Sequence, residues 1–584
     1  MSVAAGASAL PLAVVAPLSA AIVAPLVGRV SGRAAVVAGV TGLAASTGIL
    51  AGVAPTVFSG RTLVHYLGGW APTGGRALGV GFAADPFGMV FALSASGVGL
   101  LLLLYALAEL RDLGGRELGN FACLFLLLDA GLIGAALTAD LFNLFVWFEV
   151  SALASYALTA FFLERPLALE AAFKMLVLTT LASFAVFVGT ALLYQALGGL
   201  NLAQLQASLD RAASPAVVVA LGLLIGGYAT KAGLVPFHAW LPDAHTAAPG
   251  PVSALFSGLM VNLGIVACGR LVFLVVDRSE IPVLGLLTAV GLASALLGAV
   301  MALFQDDLKR LLAFDTVSQM GVLALALGTG TRAGLAGAAY HLANHALFKP
   351  LLFLCAGAIV HTLGVERLSE MGGLARRKPA LAAAFVVGIA AIVGVPPFNG
   401  YFSLTLIHEG VKEAHTGSLV AVLVVVEALT VAALVRAAWL AFFRRRDEPY
   451  EHERALAPGM VAGLVGLGAL CVGFGLAAGP FVSEVAAPAA ASLLDGAAYG
   501  AAVLSPPGGQ LAVPALEPHF WSAAQLLPTA AALVVGVVLA RAVVRGQQPW
   551  PITTLRALHN GSVNDYAAYV VGGLLVAISL LGLG

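Results

Sequence analysis

The 584 residues are 60% hydrophobic and 10% charged, with 29 Lys and Arg against 29 Asp and Glu, and the mean hydropathy is +0.99. Such a composition excludes a soluble globular domain. Zero net charge without a basic patch excludes nucleic acid as a partner. The chain reads as an all-α polytopic protein set in a lipid bilayer.

Apolar runs long enough to cross a hydrocarbon core of about 30 Å recur from near Ala9 to near Leu583, and a window of roughly 20 residues places about 16 spanning helices. Their centres fall near Ala20, Leu43, Ser96, Leu127, Glu149, Ser183, Gly222, Met260, Val290, Val317, Leu347, Ile389, Val425, Val465, Val535 and Leu574. Ala9–Gly28 lacks the basic region that opens a signal peptide, so it reads as a retained first helix. The Gly-rich, polar stretch from Arg61 to Ala84 predicts an extramembrane hairpin cap, and Pro480 to Gln525, without a Lys or Arg, predicts the longest loop. Basic residues gather in loops after odd-numbered helices, among them Arg111 and Arg116, then Arg376, Arg377 and Lys378, then Arg444, Arg445 and Arg446. The positive-inside rule then places both termini on the outer side. Cys123, Cys268, Cys355 and Cys471 lie within apolar helices without C-x-x-C spacing and read as packing residues.

The ionisable residues inside these helices are the candidates for function, because a charge at bilayer depth is expensive. Asp129, in FACLFLLLDAGLIG, is either an acid hydrogen-bonded within the bundle or a transport group. Glu149 follows Trp147 and Phe148 and precedes Ser151 and Ser155; small residues let helices approach, so this carboxylate faces protein and needs a cation or a proton. Lys174, near the start of the sixth helix, either joins a relay or snorkels to the interface. The seventh helix carries a lone ammonium, Lys231, and is then broken by Pro236 in a segment holding His238, Asp243 and His245. Such a break is tolerated where protein or trapped water surrounds it. If Glu149 and Lys231 approach, a proton on one changes the energy of a charge on the other, which is the coupling a transporter needs. A static buried ion pair is the other reading. His238 and His245 titrate near neutrality and suit proton relay, and no further ligands at suitable spacing point to a metal.

Beyond these, Asp306, Asp307, Lys309 and Arg310 read as a solvated helix start, while Asp315 lies deeper and Thr316, Ser318 and Gln319 extend the polar face. His341, His345 and Lys349 follow i, i+4, i+8 and form one stripe, a proton wire or a set of interhelical hydrogen bonds. A second helix breaks at Pro396 and Pro397, and a pair of proline-interrupted helices points to an inverted-repeat transporter. Glu427 buries one more acid, for relay or for packing against a donor. With no P-loop, no GxGxxG and no cysteine cluster, neither a cofactor nor a metal is expected.

DLFNLFVWFEV, KAGLVPFHAWLPDAHTAAPGPVSALFSGLM, DDLKRLLAFDTVSQMG, YHLANHALFKPLLFLCAGAIVH and GVPPFNGYF resemble the antiporter-like subunits shared by Mrp-type multisubunit cation/proton antiporters and the membrane arm of respiratory complex I. With LLDGAAYGAAVL near Ser492 to Leu504, the chain is most similar to the D-type subunits of Mrp antiporters. The resemblance implies a core of about 14 helices built from two inverted five-helix repeats, with about two further helices at the C-terminus. The corresponding divisions are 1–84, an N-terminal pair with its hairpin; 85–278 and 279–443, the two repeat regions; 444–504, a core helix and tail; and 505–584, an extension.

The resemblance also implies a bacterial or archaeal cell membrane, other membrane subunits as partners, and exchange of protons for a monovalent cation, Na+. By position, Glu149 and Lys231 match the pair taken to drive proton transfer, and Lys174 matches a basic residue on the sixth helix. His238 and His245 match the histidines at the break, and His341 and His345 those of the eleventh helix. Two positions depart from the family pattern, since Asn262 and Leu404 stand where titratable residues are usual. His408, i+4 from Leu404, is a candidate for a displaced exit group together with Glu409. Two alternatives follow: a proton-pumping subunit of a complex I-like or hydrogenase-linked oxidoreductase, and a structural subunit with an inactive relay.

Overall fold

The computed structural model describes residues 3–209, 214–276, 281–414, 417–505, 510–545 and 559–582. In chain order the first half holds α1 (Val3–Gly28), α2 (Gly32–Phe58), β1 (Leu63–Tyr66), β2 (Gly81–Ala84), α3 (Pro86–Glu109), α4 (Gly115–Leu137), α5 (Leu141–Thr159), α6 (Pro166–Leu197), α7 (Pro215–Ala232) and α8 (Gly250–Val276). The second half holds α9 (Val283–Leu303), α10 (Leu308–Gly328), α11 (Arg332–Leu363), α12 (Pro379–Ile392), α13 (Gly417–Phe443), α14 (Pro458–Leu476), α15 (Ala523–Arg545) and α16 (Val563–Gly582). Among the described residues, 15 of these helices have the length and hydropathy of a membrane span, and the shorter α12 continues past a break into Asn399–Ala414. Each centre expected from hydropathy falls within one of them.

Local chemistry sets the helix starts. Proline opens α3, α6, α7, α12 and α14, where its missing N–H costs nothing. Aspartates cap several helices: Asp85 accepts from Gly88 N at 3.0 Å, Asp140 from Asn143 N at 2.8 Å and Asp307 from Arg310 N at 2.7 Å. The Gly-rich stretch after α2 forms the expected hairpin, with β1 and β2 antiparallel and Tyr66 opposite Gly81.

The two broken helices use one device. Gly233 ends α7 with φ +69° and Gly394 ends α12 with φ +73°, left-handed values that favour glycine. At the first break Leu234 N donates to Ala229 O at 2.9 Å and Phe237 N to Leu234 O at 2.6 Å; at the second, Val395 N donates to Ala390 O and Phe398 N to Val395 O, both at 2.9 Å. Backbone groups freed by the prolines are thus satisfied within the turn, as membrane depth requires. Past the first break the chain resumes as the short helix Trp240–Ala247.

Two readings from sequence change here. Pro480 to Gln525 is not simply a loop, because Ala478–Leu494 and Gly496–Leu504 are helical and meet at 84°. The run is Ala-rich, and alanine has the strongest helix propensity; Ala487, Ala489, Ala490 and Leu493 are buried, on a segment packed against α3 and α11. The charged start of α10 is only partly solvated. Lys309 is buried and donates to Ala248 O at 2.8 Å, and Arg310 pairs with Asp243 at 2.9 Å.

Glycine decides how closely helices meet, as expected where packing rather than hydrophobicity drives association. The last helix, α16, lies on the glycine face of α7: a Cβ at Gly226 would stand 2.3 Å from Leu574, and one at Gly573 would stand 2.6 Å from both Pro236 and Phe237. Gly573→Leu is therefore expected to lift α16 from the break and cost about 1–3 kcal/mol by overpacking, read as a lower melting temperature in detergent. A second anchor joins α8 to the start of α3 and the end of α4. Arg270 of α8, 1% exposed, binds Asp85 at 2.9 Å and donates to Ala136 O at 2.9 Å and Thr138 O at 2.7 Å.

Candidate functional site

Lys231 sits in the last turn of α7 and is 1% exposed. Its Nζ lies 4.7 Å from the centroid of the Phe148 ring on α5, the residue before Glu149, and Tyr228 braces that ring edge-on at 5.8 Å. Among the described residues no group accepts a hydrogen bond from this ammonium, and Glu149 Oε1 is likewise buried without a donor. Glu149 is within electrostatic reach of Lys231, yet the two are not joined in an ion pair. The expected approach of acid and amine is therefore present as proximity, and an aromatic face holds the cation in place of a static pair.

A second cluster forms where α10, α11 and the Trp240–Ala247 helix converge. Lys349 Nζ contacts Asp315 Oδ2 at 2.5 Å, with both side chains 0% exposed, and also donates to Leu312 O at 3.0 Å. His345, one turn away on α11, lies within electrostatic reach of Lys349, His341 and His245, and neither of its ring nitrogens has a hydrogen-bond partner among the described residues. His245 is in the same condition, packed against the rings of Phe256 and Phe353. His341 instead makes the interhelical bonds of the alternative reading, 3.0 Å to Ser403 Oγ and 3.0 Å to Gln319 Oε1. The α11 stripe thus contains one anchored histidine, one unanchored histidine and one paired lysine.

Between the clusters stands Asn262 on α8, just past a π-helical turn at Phe256–Met260. Its Nδ2 donates to Gly258 O at 2.8 Å and Leu342 O at 3.4 Å, leaving the amide oxygen without a donor among the described residues. Gly264 brings α8 against Tyr228 and Ala232 of α7, so Asn262 lies on the helix between Lys231 and the α11 stripe. An amide there orients protons but cannot titrate.

His408 is paired with Glu427 and not with Glu409. Its Nε2 lies 2.9 Å from Glu427 Oε1 on α13, although neither atom is aligned for a hydrogen bond, so the contact is an ion pair by distance when the histidine is protonated. Glu409 faces Gln525 instead, at 3.2 Å. Leu404, one turn before His408, is buried. Asp129 is buried against Gly99 of α3, where a Cβ would stand 2.8 Å from either carboxylate oxygen, and it meets no cation among the described residues.

Lys174 does not snorkel. It is 6% exposed and bridges Glu170 at 2.6 Å and Asp243 at 3.2 Å, and Asp243 in turn binds Arg310 at 2.9 Å. These groups line a cavity of about 740 Å³ at the end of the bundle that carries Arg165 and the α9–α10 turn. His238 stands nearby, with its Nε2 2.8 Å from Nε2 of His559, a residue of the C-terminal extension.

Several of these partners are not legible as site residues in the sequence. Asp243 is visible in the broken segment but carries no sign that it holds two cations together. Arg270 carries the ordinary signal of a charge in an apolar run, VNLGIVACGRLVFLVV, and its partner is remote. For His559 there is no local signal at all.

The sequence profile of the NADH:quinone oxidoreductase/Mrp antiporter transmembrane family matches residues 138–430. That span takes in Glu149, Lys231, Asn262, the α10–α11 groups and His408–Glu427, and leaves out Asp85, Asp129 and the C-terminal extension. NADH-quinone oxidoreductase subunit N of Desulforudis audaxviator (strain MP104C) is 36% identical over 77% of this chain and 89% of that protein. The D subunit of the Na(+)/H(+) antiporter of Alkalihalophilus pseudofirmus is 32% identical over 77% of this chain and 90% of that protein. A chain in the solved Mrp complex of Dietzia sp. DQ12-45-1b superposes with a TM-score of 0.79 at 28% identity, over 85% of this chain and 99% of that one. With its broken helices, its buried acid and amine groups and these matches in agreement, the chain belongs to the NADH:quinone oxidoreductase/Mrp antiporter transmembrane family.

Proposed function

We propose that the chain is a proton-translocating subunit of a multisubunit monovalent cation/proton antiporter that exchanges Na+ for H+ across the cell membrane, with both termini outside. The observation that carries this reading is the Lys231 ammonium, buried on the Phe148 ring near Glu149 with no acceptor among the described residues. A buried cation without a fixed partner is costly, so its charge is easily displaced when a proton arrives on or leaves Glu149. Protons then pass by way of Glu149 and Lys231, across Asn262, to His345, His245 and the Lys349–Asp315 pair, with His341 orienting and His408–Glu427 at the far end. Lys174 and His238 lie on the entry side, and partner membrane subunits complete the cation path.

A second reading, a proton pump powered by electron transfer elsewhere in a complex, is favoured by the relative named NADH-quinone oxidoreductase subunit N. A structural role with an inactive relay is favoured by Asn262 and Leu404. The test is proton movement by the intact complex in liposomes holding a pH-sensitive dye. On the proposed reading, a Na+ pulse collapses an imposed pH gradient without any reductant. Proton uptake that requires a reductant and ignores Na+ would establish the second reading, and a complex that moves protons under neither condition would establish the third.

A further inference from the structure

The C-terminal extension reaches back to the entry cavity. α16 runs on the glycine face of α7, and the residues before it cross the cavity mouth: His559 and Gly561 are among its lining, and a Cβ on Gly561 would stand 3.3 Å from Lys174 Nζ. Gly561 N donates to the Tyr566 hydroxyl at 3.0 Å, which ties this turn to the helix that follows. The His559 ring rests edge-on against Phe314 at 5.3 Å and meets His238 at a nitrogen–nitrogen distance of 2.8 Å. Lys174, Asp243 and Arg310 face the same cavity, with Glu164, Arg165, Glu170 and Glu366 around its rim.

Two facing imidazole nitrogens at hydrogen-bond distance share one proton, since one must donate and the other accept. Each ring has a second nitrogen, and Nδ1 of His238 is buried without a partner among the described residues. From this geometry we infer that His559 is a proton-transfer residue of this chain, carrying protons from the polar cavity onto His238. A proton taken up by His559 from the cavity passes the one on its Nε2 to Nε2 of His238, and the incoming positive charge then rests on His238 as an imidazolium until the onward step returns it to the neutral form. The inference rests on the proton-translocating reading above, and it adds to the family core a residue that lies outside residues 138–430.

The experiment compares His559→Ala, His559→Gln and Lys231→Ala in the intact complex in liposomes, with assembly checked by native mass. His559→Ala is expected to slow proton uptake about a hundredfold or more, the range of a positioned acid–base group, and added imidazole, small enough for the cavity, is expected to restore part of the rate. His559→Gln keeps a hydrogen bond but cannot titrate, so it should be slow even if the alanine variant fails to assemble. A wild-type rate in the glutamine variant beside an inactive Lys231→Ala would overturn the inference and leave the proposed function standing. Loss in the alanine variant without recovery by imidazole would also overturn it, marking the turn as a structural plug. A wild-type rate in Lys231→Ala would overturn both.

Discussion

Lys231→Ala is expected to abolish proton-coupled transport while leaving folding and assembly intact. Lys231 makes no hydrogen bond to any described residue and is held by a ring face, a contact worth about 2 kcal/mol when desolvated. Removing it also removes the cost of a buried charge, so the net effect on stability is small. On the proposed reading transport has no such compensation, because Asn262, the next residue on the path toward the α11 stripe, cannot titrate. Glu149→Gln is expected to be equally inactive. Lys231→Arg separates charge from proton exchange: a guanidinium keeps the positive charge but does not deprotonate in proteins. Its transport should match that of the alanine variant, as read from the decay of an imposed pH gradient. Wild-type transport by Lys231→Arg would show that Lys231 acts as a fixed charge and never releases a proton.

The Lys349–Asp315 pair should respond in the opposite order, with stability lost first. Both side chains are fully buried, and Lys349 is the cation that compensates Asp315. Lys349→Met leaves that carboxylate uncompensated, at a cost of about 3–5 kcal/mol. The expected result is a sharp fall in the yield of folded protein. Combining Lys349→Met with Asp315→Leu removes both charges, and replacing a buried pair by apolar residues is often neutral or stabilising. The double variant is therefore expected to fold and assemble, and to be inactive in transport. Transport by the double variant at the wild-type rate would make the pair a structural bolt and route protons through His245 and His345 alone.

Together these variants divide the membrane-embedded charges by physical state. Lys231 and His345 make no aligned hydrogen bond from their side-chain nitrogens to a described residue. Lys349, Arg270 and Lys174 are held by carboxylates at 2.5, 2.9 and 2.6 Å, and their removal is felt first as lost stability. Asn262 separates the first group from the stripe on α11. Its amide oxygen has no donor among the described residues.

The sequence alone determined the spanning helices and the two breaks. Hydropathy, helical period and the Gly–Pro signature are local, and in a bilayer the backbone must satisfy itself within each segment. Which groups meet was decided only by the tertiary structure. Lys349 finds Asp315 34 residues away, Arg270 finds Asp85 across 185, and His238 finds His559 across 321. Periodicity tells which face of a helix is polar but not which helix lies opposite. In lipid that choice is made by close approaches such as Gly573 on the Pro236 ring and Gly264 on the backbone of Tyr228, where the absence of a side chain leaves room for the neighbouring helix. The same limit applies to Ala478–Leu504: its alanines permit a helix anywhere, and burial against α3 and α11 turned an expected loop into two helices.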